Sequence, residues 1–148
     1  MSMMRELYTQ IIMDHYQRPR NRGELTNANL EVHLLNPLCG DVITVYAILD
    51  SDGVADVKFS GQGCSISQAS ASMMTERLMG KGREEAKAEV SRFKSMMVGE
   101  RGFPEHEELA ALEGVIRFPS RIKCATLAWT AFQQGLEELD ELEKRSDS

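Results

Sequence analysis

Val42-Ile43-Thr44-Val45-Tyr46-Ala47-Ile48-Leu49, then Asp50-Ser51-Asp52-Gly53, then Ala55 to Phe59, is the stretch that decides the fold. The first run is rich in β-branched residues and carries a tyrosine, which suits a pleated, well-packed strand. Asp50-Ser51-Asp52-Gly53 is turn chemistry, with short polar side chains ahead of a glycine. Beyond it Ala55, Val57 and Phe59 alternate with Asp56, Lys58 and Ser60. Period-two alternation predicts a strand buried on one face only. Two such strands joined by a glycine-containing turn make an antiparallel hairpin.

Upstream of the hairpin, Leu30 to Leu35 is a shorter strand candidate. Before that, Met4, Leu7, Tyr8, Ile11, Ile12 and His15 recur at helical spacing, which predicts a helix over 5–17. Pro19, Asn21 and Gly23 end it. Downstream, the chain reads as helical. Ser65 to Met79 places Ile66, Ala69 and Met73 on one stripe, and its many Ser and Ala residues permit close approach by neighbouring backbone. Gly80-Lys81-Gly82 breaks it. A helix over 83–98 follows, with Ala86, Val90, Phe93 and Met97 on one face. A short helix is expected to open at Pro104. The last helix is expected from an N-cap at Ser120 to about Lys144, with Ile122, Ala125, Trp129, Phe132, Leu136 and Leu139 on its apolar stripe. Strands precede helices without βαβ alternation. That predicts an α+β fold, a small three-stranded antiparallel sheet with helices packed on one face.

The 148 residues suit one domain over 1–148, with a polar tail at 145–148 expected to fray. The net charge of −6 and pI of about 5.1 lack the basic stripe that nucleic acid calls for, and offer nothing to an anionic membrane. Met1 to Glu6 leads straight into helical spacing and does not resemble a signal peptide. No apolar run is long enough to span a bilayer, so the expected location is cytoplasmic. There thiols stay reduced. Three cysteines, an odd number, cannot all pair internally.

Each cysteine occupies a special place. Cys39 lies in Asn36-Pro37-Leu38-Cys39-Gly40-Asp41, a turn leading into the strongest strand. Cys64 follows Gly61-Gln62-Gly63, where strand becomes helix. Cys124 lies in the first turns of the last helix. A helix N-terminus favours thiolate. Zinc binds thiolates and takes four ligands. Three cysteines are one short, and Asp41 is the natural fourth, because a Cys-x-Asp turn can bend both side chains toward one ion. Arg121 and Lys123 could offset the excess negative charge of that ligand set. Spacing alone leaves open an alternative in which the cysteines are small buried residues.

Taken together, these segments resemble the IscU/NifU-type family. The resemblance rests on Asn36 to Asp41, on Gly61-Gln62-Gly63-Cys64-Ser65-Ile66-Ser67, on Arg121-Ile122-Lys123-Cys124, and on Tyr8 to Arg20 with its Asp14-His15-Tyr16 and Arg18-Pro19-Arg20. It covers nearly the whole chain. Within the family the chain is most similar to the SufU branch. Lys123 stands where IscU proteins carry histidine. The stretch from Gly80 to Gly114 is longer than theirs, and their Leu-Pro-Pro-Val-Lys segment is absent.

The resemblance implies a zinc-dependent sulfurtransferase serving a pyridoxal-phosphate cysteine desulfurase of the SufS type, with a downstream iron–sulfur scaffold or other sulfur acceptor. It assigns Cys39, Asp41, Cys64 and Cys124 as zinc ligands and Cys39 also as the sulfur acceptor. In the related family a partner histidine takes the zinc position that the acceptor cysteine vacates. Helices should anchor Cys64 and Cys124, whereas Cys39 sits on a Gly-flanked loop. The rival implication is a scaffold that binds iron or a nascent iron–sulfur cluster transiently. A structural-zinc module without sulfur chemistry is a third reading. His15, His33 and His106 read as packed or ordinary surface residues. The nine methionines read as core filler.

Overall fold

The computed structural model describes residues 2–37, 40–100, 102–104 and 107–146. Helix α1 (Ser2–Gln17) leads into strands β1 (Leu30–Asn36), β2 (Asp41–Asp50) and β3 (Gly53–Gln62). Helices α2 (Ser65–Leu78) and α3 (Arg83–Met97), a 3₁₀ segment (Glu108–Arg117) and α4 (Pro119–Ser146) complete the chain. The strands form one antiparallel sheet in the order β1-β2-β3. The Asp50–Gly53 turn closes as its chemistry demands, with Asp50 Oδ1 accepting the N–H groups of Asp52 and Gly53 at 2.8 and 3.1 Å. The α+β architecture expected from the sequence, with its three-stranded antiparallel sheet, is the one observed.

Helix α2 is the axis of the packing. It contacts α1, α4 and β3, and ten of its residues are buried, including Ser67, Gln68, Ser70, Ser72 and Thr75. A single apolar stripe understates this, because the helix is enclosed nearly all round. Its small side chains let neighbours approach, and their hydroxyls find partners inside. Ser70 Oγ donates to the Ala125 carbonyl at 2.5 Å and accepts Trp129 Nε1–H at 3.0 Å. Trp129, fully buried, stacks on Phe93 with ring centroids 4.2 Å apart and planes 6° from parallel. These contacts tie α2, α3 and α4 into one core against the sheet.

Two expected boundaries are corrected. Regular structure after α3 resumes at Glu108 rather than Pro104, whose carbonyl instead accepts the Glu107 N–H at 2.9 Å. The segment is a 3₁₀ helix that buries Leu109, Ala110, Ala111, Leu112 and Val115. Helix α4 opens at Pro119, not with Ser120 as cap, since a proline at the first helical position loses no hydrogen bond. At its far end α4 continues through Arg145 and Ser146. Among the described residues no helix is long and apolar enough to cross a membrane.

Candidate metal centre

The site forms where three elements meet. Asn36, the last residue of β1, pairs with Asp41, the first of β2. Residues 37–40 connect them, and the Gly40 N–H donates to the Asn36 carbonyl at 2.8 Å. Gly40 has φ +70°, a conformation that glycine adopts without a Cβ penalty. Cys64 follows β3 as the extended N-cap residue of α2, and its own side chain makes no cap. Cys124 lies in the second turn of α4, fully buried.

Folding brings Asp41, Cys64 and Cys124 together. A carboxylate oxygen of Asp41 and the two sulfur atoms all lie within 4.8 Å of one another. A tetrahedral zinc with the usual bond lengths would separate such atoms by roughly 3.5–3.8 Å. The donor set therefore fits a thiophilic divalent ion after a small contraction. Asp41 is 1% exposed, a depth at which a carboxylate calls for hydrogen bonds or a cation.

Asp41 also has a structural task that the sequence does not announce. Its Oδ1 accepts the Cys64 N–H at 2.9 Å and the Ser67 hydroxyl at 3.3 Å. The carboxylate thus takes one of the free N–H groups at the start of α2, that of the N-cap residue itself, from a neighbouring strand. Gly63 makes this possible, since a Cβ there would stand 2.3 Å from Asp41 Oδ1. Asn36 is the other residue that sequence reasoning missed. Its buried Nδ2 sits 3.5 Å from Asp41 Oδ2 and 3.6 Å from Cys124 Sγ, orienting two ligands from behind. Its place at the head of the Cys39 motif was the available signal.

Arg121, exposed one turn before Cys124, points back to the thiols. Hydrogen bonding to Cys124 and then the charge of Cys64 hold its guanidinium more firmly protonated than usual. Of the two cations singled out beside Cys124, Arg121 thus faces the sulfur atoms, while Lys123 is solvent-exposed. Cys39 and His106 lie outside the described residues. His33 is an ordinary cross-strand partner, with Nδ1 2.7 Å from Thr44 Oγ1. His15 is completely buried, as a packed residue, but it contacts carboxylates as well.

The family model described as the NifU-like N-terminal domain matches residues 7–146. The chain belongs to that family. This NifU-like chain is 49% identical over 132 residues to the zinc-dependent sulfurtransferase SufU of Bacillus subtilis (strain 168), covering 88% of this chain and 89% of that one. It is 42% identical over 140 residues to the iron–sulfur cluster assembly scaffold protein IscU of Streptococcus pyogenes serotype M1, covering 93% and 87%. Among solved structures it resembles a Fervidobacterium islandicum AW-1 protein described as a candidate iron–sulfur cluster assembly scaffold for the SUF system. There the TM-score is 0.81 at 33% identity, covering 88% of this chain and 97% of that one. The NifU-like fold therefore accounts for the sheet and the enclosing helices that bring Asp41, Cys64 and Cys124 together.

Proposed function

We propose that this NifU-like chain is a zinc-dependent sulfurtransferase of iron–sulfur cluster assembly, accepting persulfide sulfur from a pyridoxal-phosphate cysteine desulfurase on Cys39. The observation that carries this reading is the convergence of Asp41, Cys64 and Cys124, a three-ligand set that needs one more donor. Cys39 is two residues from Asp41 in the chain, within reach at about 3.8 Å per Cα step. The name of the Bacillus subtilis relative supports the same reading.

Zinc, when bound by Cys39, Asp41, Cys64 and Cys124, keeps the thiols deprotonated at neutral pH. In the transfer step the Cys39 thiolate attacks the outer sulfur of the desulfurase persulfide. A new S–S bond forms at Cys39, the old one breaks, and its electron pair leaves on the desulfurase thiolate. No outside oxidant is required, because one persulfide is exchanged for another. Buried Cys124, half-buried Cys64 and capping Asp41 stay anchored by α4, α2 and β2 meanwhile. Arg121 offsets the negative charge that the thiolates bring. A downstream scaffold or sulfur acceptor then takes the sulfur.

Metal content and desulfurase turnover test this together. Wild type purified without added metal should hold about one zinc per chain and should stimulate sulfide release from cysteine. Cys39→Ser should lose the stimulation. The scaffold reading is favoured by the name of the Streptococcus pyogenes relative. Brown protein carrying iron and acid-labile sulfide, with no stimulation of the desulfurase, would establish it instead.

A further inference from the structure

A second cluster of potential ligands lies at the other end of the buried helix. His15 of α1, Glu76 of α2 and Glu108 at the start of the 3₁₀ segment each offer a ligand atom within 4.8 Å of the others. Glu76 is twelve residues beyond Cys64, so about 18 Å of helix separates the two clusters. His15 is fully buried, whereas the two glutamates are about half exposed and open to solvent.

The hydrogen-bond inventory at His15 is uneven. Nε2 is 2.6 Å from Glu108 Oε2 and 3.9 Å from Glu76 Oε1. A ring nitrogen carries at most one hydrogen, which the Glu108 bond consumes. Among the described residues Glu76 makes no hydrogen bond of its own, and its carboxylate stands beside that of Glu108, so two like charges converge on one nitrogen. The nearby Arg20 is felt electrostatically by both carboxylates. Two of its five guanidinium hydrogens go to Asp14 at 2.6 Å and the Arg18 carbonyl at 3.1 Å, and no hydrogen bond from it to either glutamate is seen among the described residues.

The other side of the ring is already arranged. Nδ1 lies 2.7 Å from Ser72 Oγ, and the Arg20 N–H donates to the same oxygen at 2.9 Å. Ser72 Oγ can accept both Nδ1–H and the Arg20 N–H on its two lone pairs. With Nδ1–H held by Ser72, an ion in place of the Nε2 hydrogen would meet the Nε2 lone pair between the two carboxylates. A ligating histidine characteristically donates its other N–H to a fixed acceptor in this way.

We propose that His15, Glu76 and Glu108 form a second divalent-cation site, whose nitrogen and oxygen donors accept a harder first-row ion such as Mn²⁺ or Fe²⁺ that the thiolate site holds poorly. The ion takes the position of the Nε2 proton and draws Glu76 in to complete three protein ligands, with water filling the rest. One imidazole and two carboxylates suit such ions, while the thiolate cluster suits zinc. The two sites are therefore sorted by ligand softness, and this one stands whether or not Cys39 carries sulfur.

Mn²⁺ is the discriminating probe, because thiolates hold it poorly and free hexaaquo Mn²⁺ is quantified directly by electron paramagnetic resonance. The zinc-loaded full chain, titrated with Mn²⁺, should take up about one ion per chain below about 1 mM. Glu76→Gln/Glu108→Gln, conservative changes at half-exposed positions, should weaken uptake by at least about tenfold. Cys64→Ser should retain it. No uptake by wild type up to that concentration would overturn the proposal. So would uptake unchanged in the double glutamine variant, or lost in Cys64→Ser.

Discussion

At the scale of single residues, Asp41 joins two tasks that are separable by experiment. As a proposed ligand it would retain metal, and its hydrogen bonds secure the start of α2. Asp41→Ala is expected to lose metal and about 1–2 kcal/mol of stability, the usual cost of removing a cap, while remaining folded. Denaturant unfolding with and without excess zinc checks this. Gly63→Ala should be more damaging to the site than its size suggests, since the added methyl displaces Asp41 Oδ1. Its metal content should fall to that of Asp41→Ala. Asn36→Ala should weaken zinc about 10- to 100-fold in a competition titration with a chelator, because both Asp41 and Cys124 lose their rear support. The gathering of Asp41, Cys64 and Cys124 was legible from residue type and motif, while Cys39 lies outside the described residues. Asn36 and Gly63 were not singled out, because their roles depend on where a partner from elsewhere in the chain arrives.

At the scale of elements, the hairpin and the four long helices follow from periodicity and turn chemistry. Val42 to Leu49 lies within β2, and the alternating Ala55 to Phe59 within β3. The 3₁₀ segment was not legible at its true start. Proline at 104 is a good opening signal, but the helical segment begins at Glu108 and is 3₁₀, a short form that apolar spacing does not distinguish from an α-helix. The enclosure of α2 was also understated, because a Ser/Ala-rich surface looks half polar until each hydroxyl has an internal partner. Ser70 is the sharpest case. Ser70→Ala removes the acceptor of the buried Trp129 Nε1–H and should cost about 1–3 kcal/mol. Urea unfolding followed by tryptophan fluorescence measures it through the chain's one tryptophan.

At the scale of the whole molecule, α2 links the thiolate cluster at its N-terminus to the His15 cluster near its C-terminus. Zinc binding to the native chain alone should add stability by mass action, about 4 kcal/mol when free zinc exceeds its dissociation constant a thousandfold. Chelation should therefore lower the melting temperature of wild type but leave Asp41→Ala nearly unchanged. Sequence motifs pointed to the meeting of Asp41, Cys64 and Cys124 but not to the junction of α1, α2 and the 3₁₀ segment, since His15, Glu76 and Glu108 are far apart in the chain and share no motif. The central claim is that Cys39 receives the sulfur, and locating the transferred atom tests it most directly. The zinc-loaded chain would be mixed with persulfidated desulfurase for one turnover, alkylated and analysed by peptide mass spectrometry. The account predicts one added sulfur on the Cys39 peptide and none on those of Cys64 and Cys124. Sulfur on Cys64 or Cys124, or a desulfurase persulfide left untouched, would contradict it.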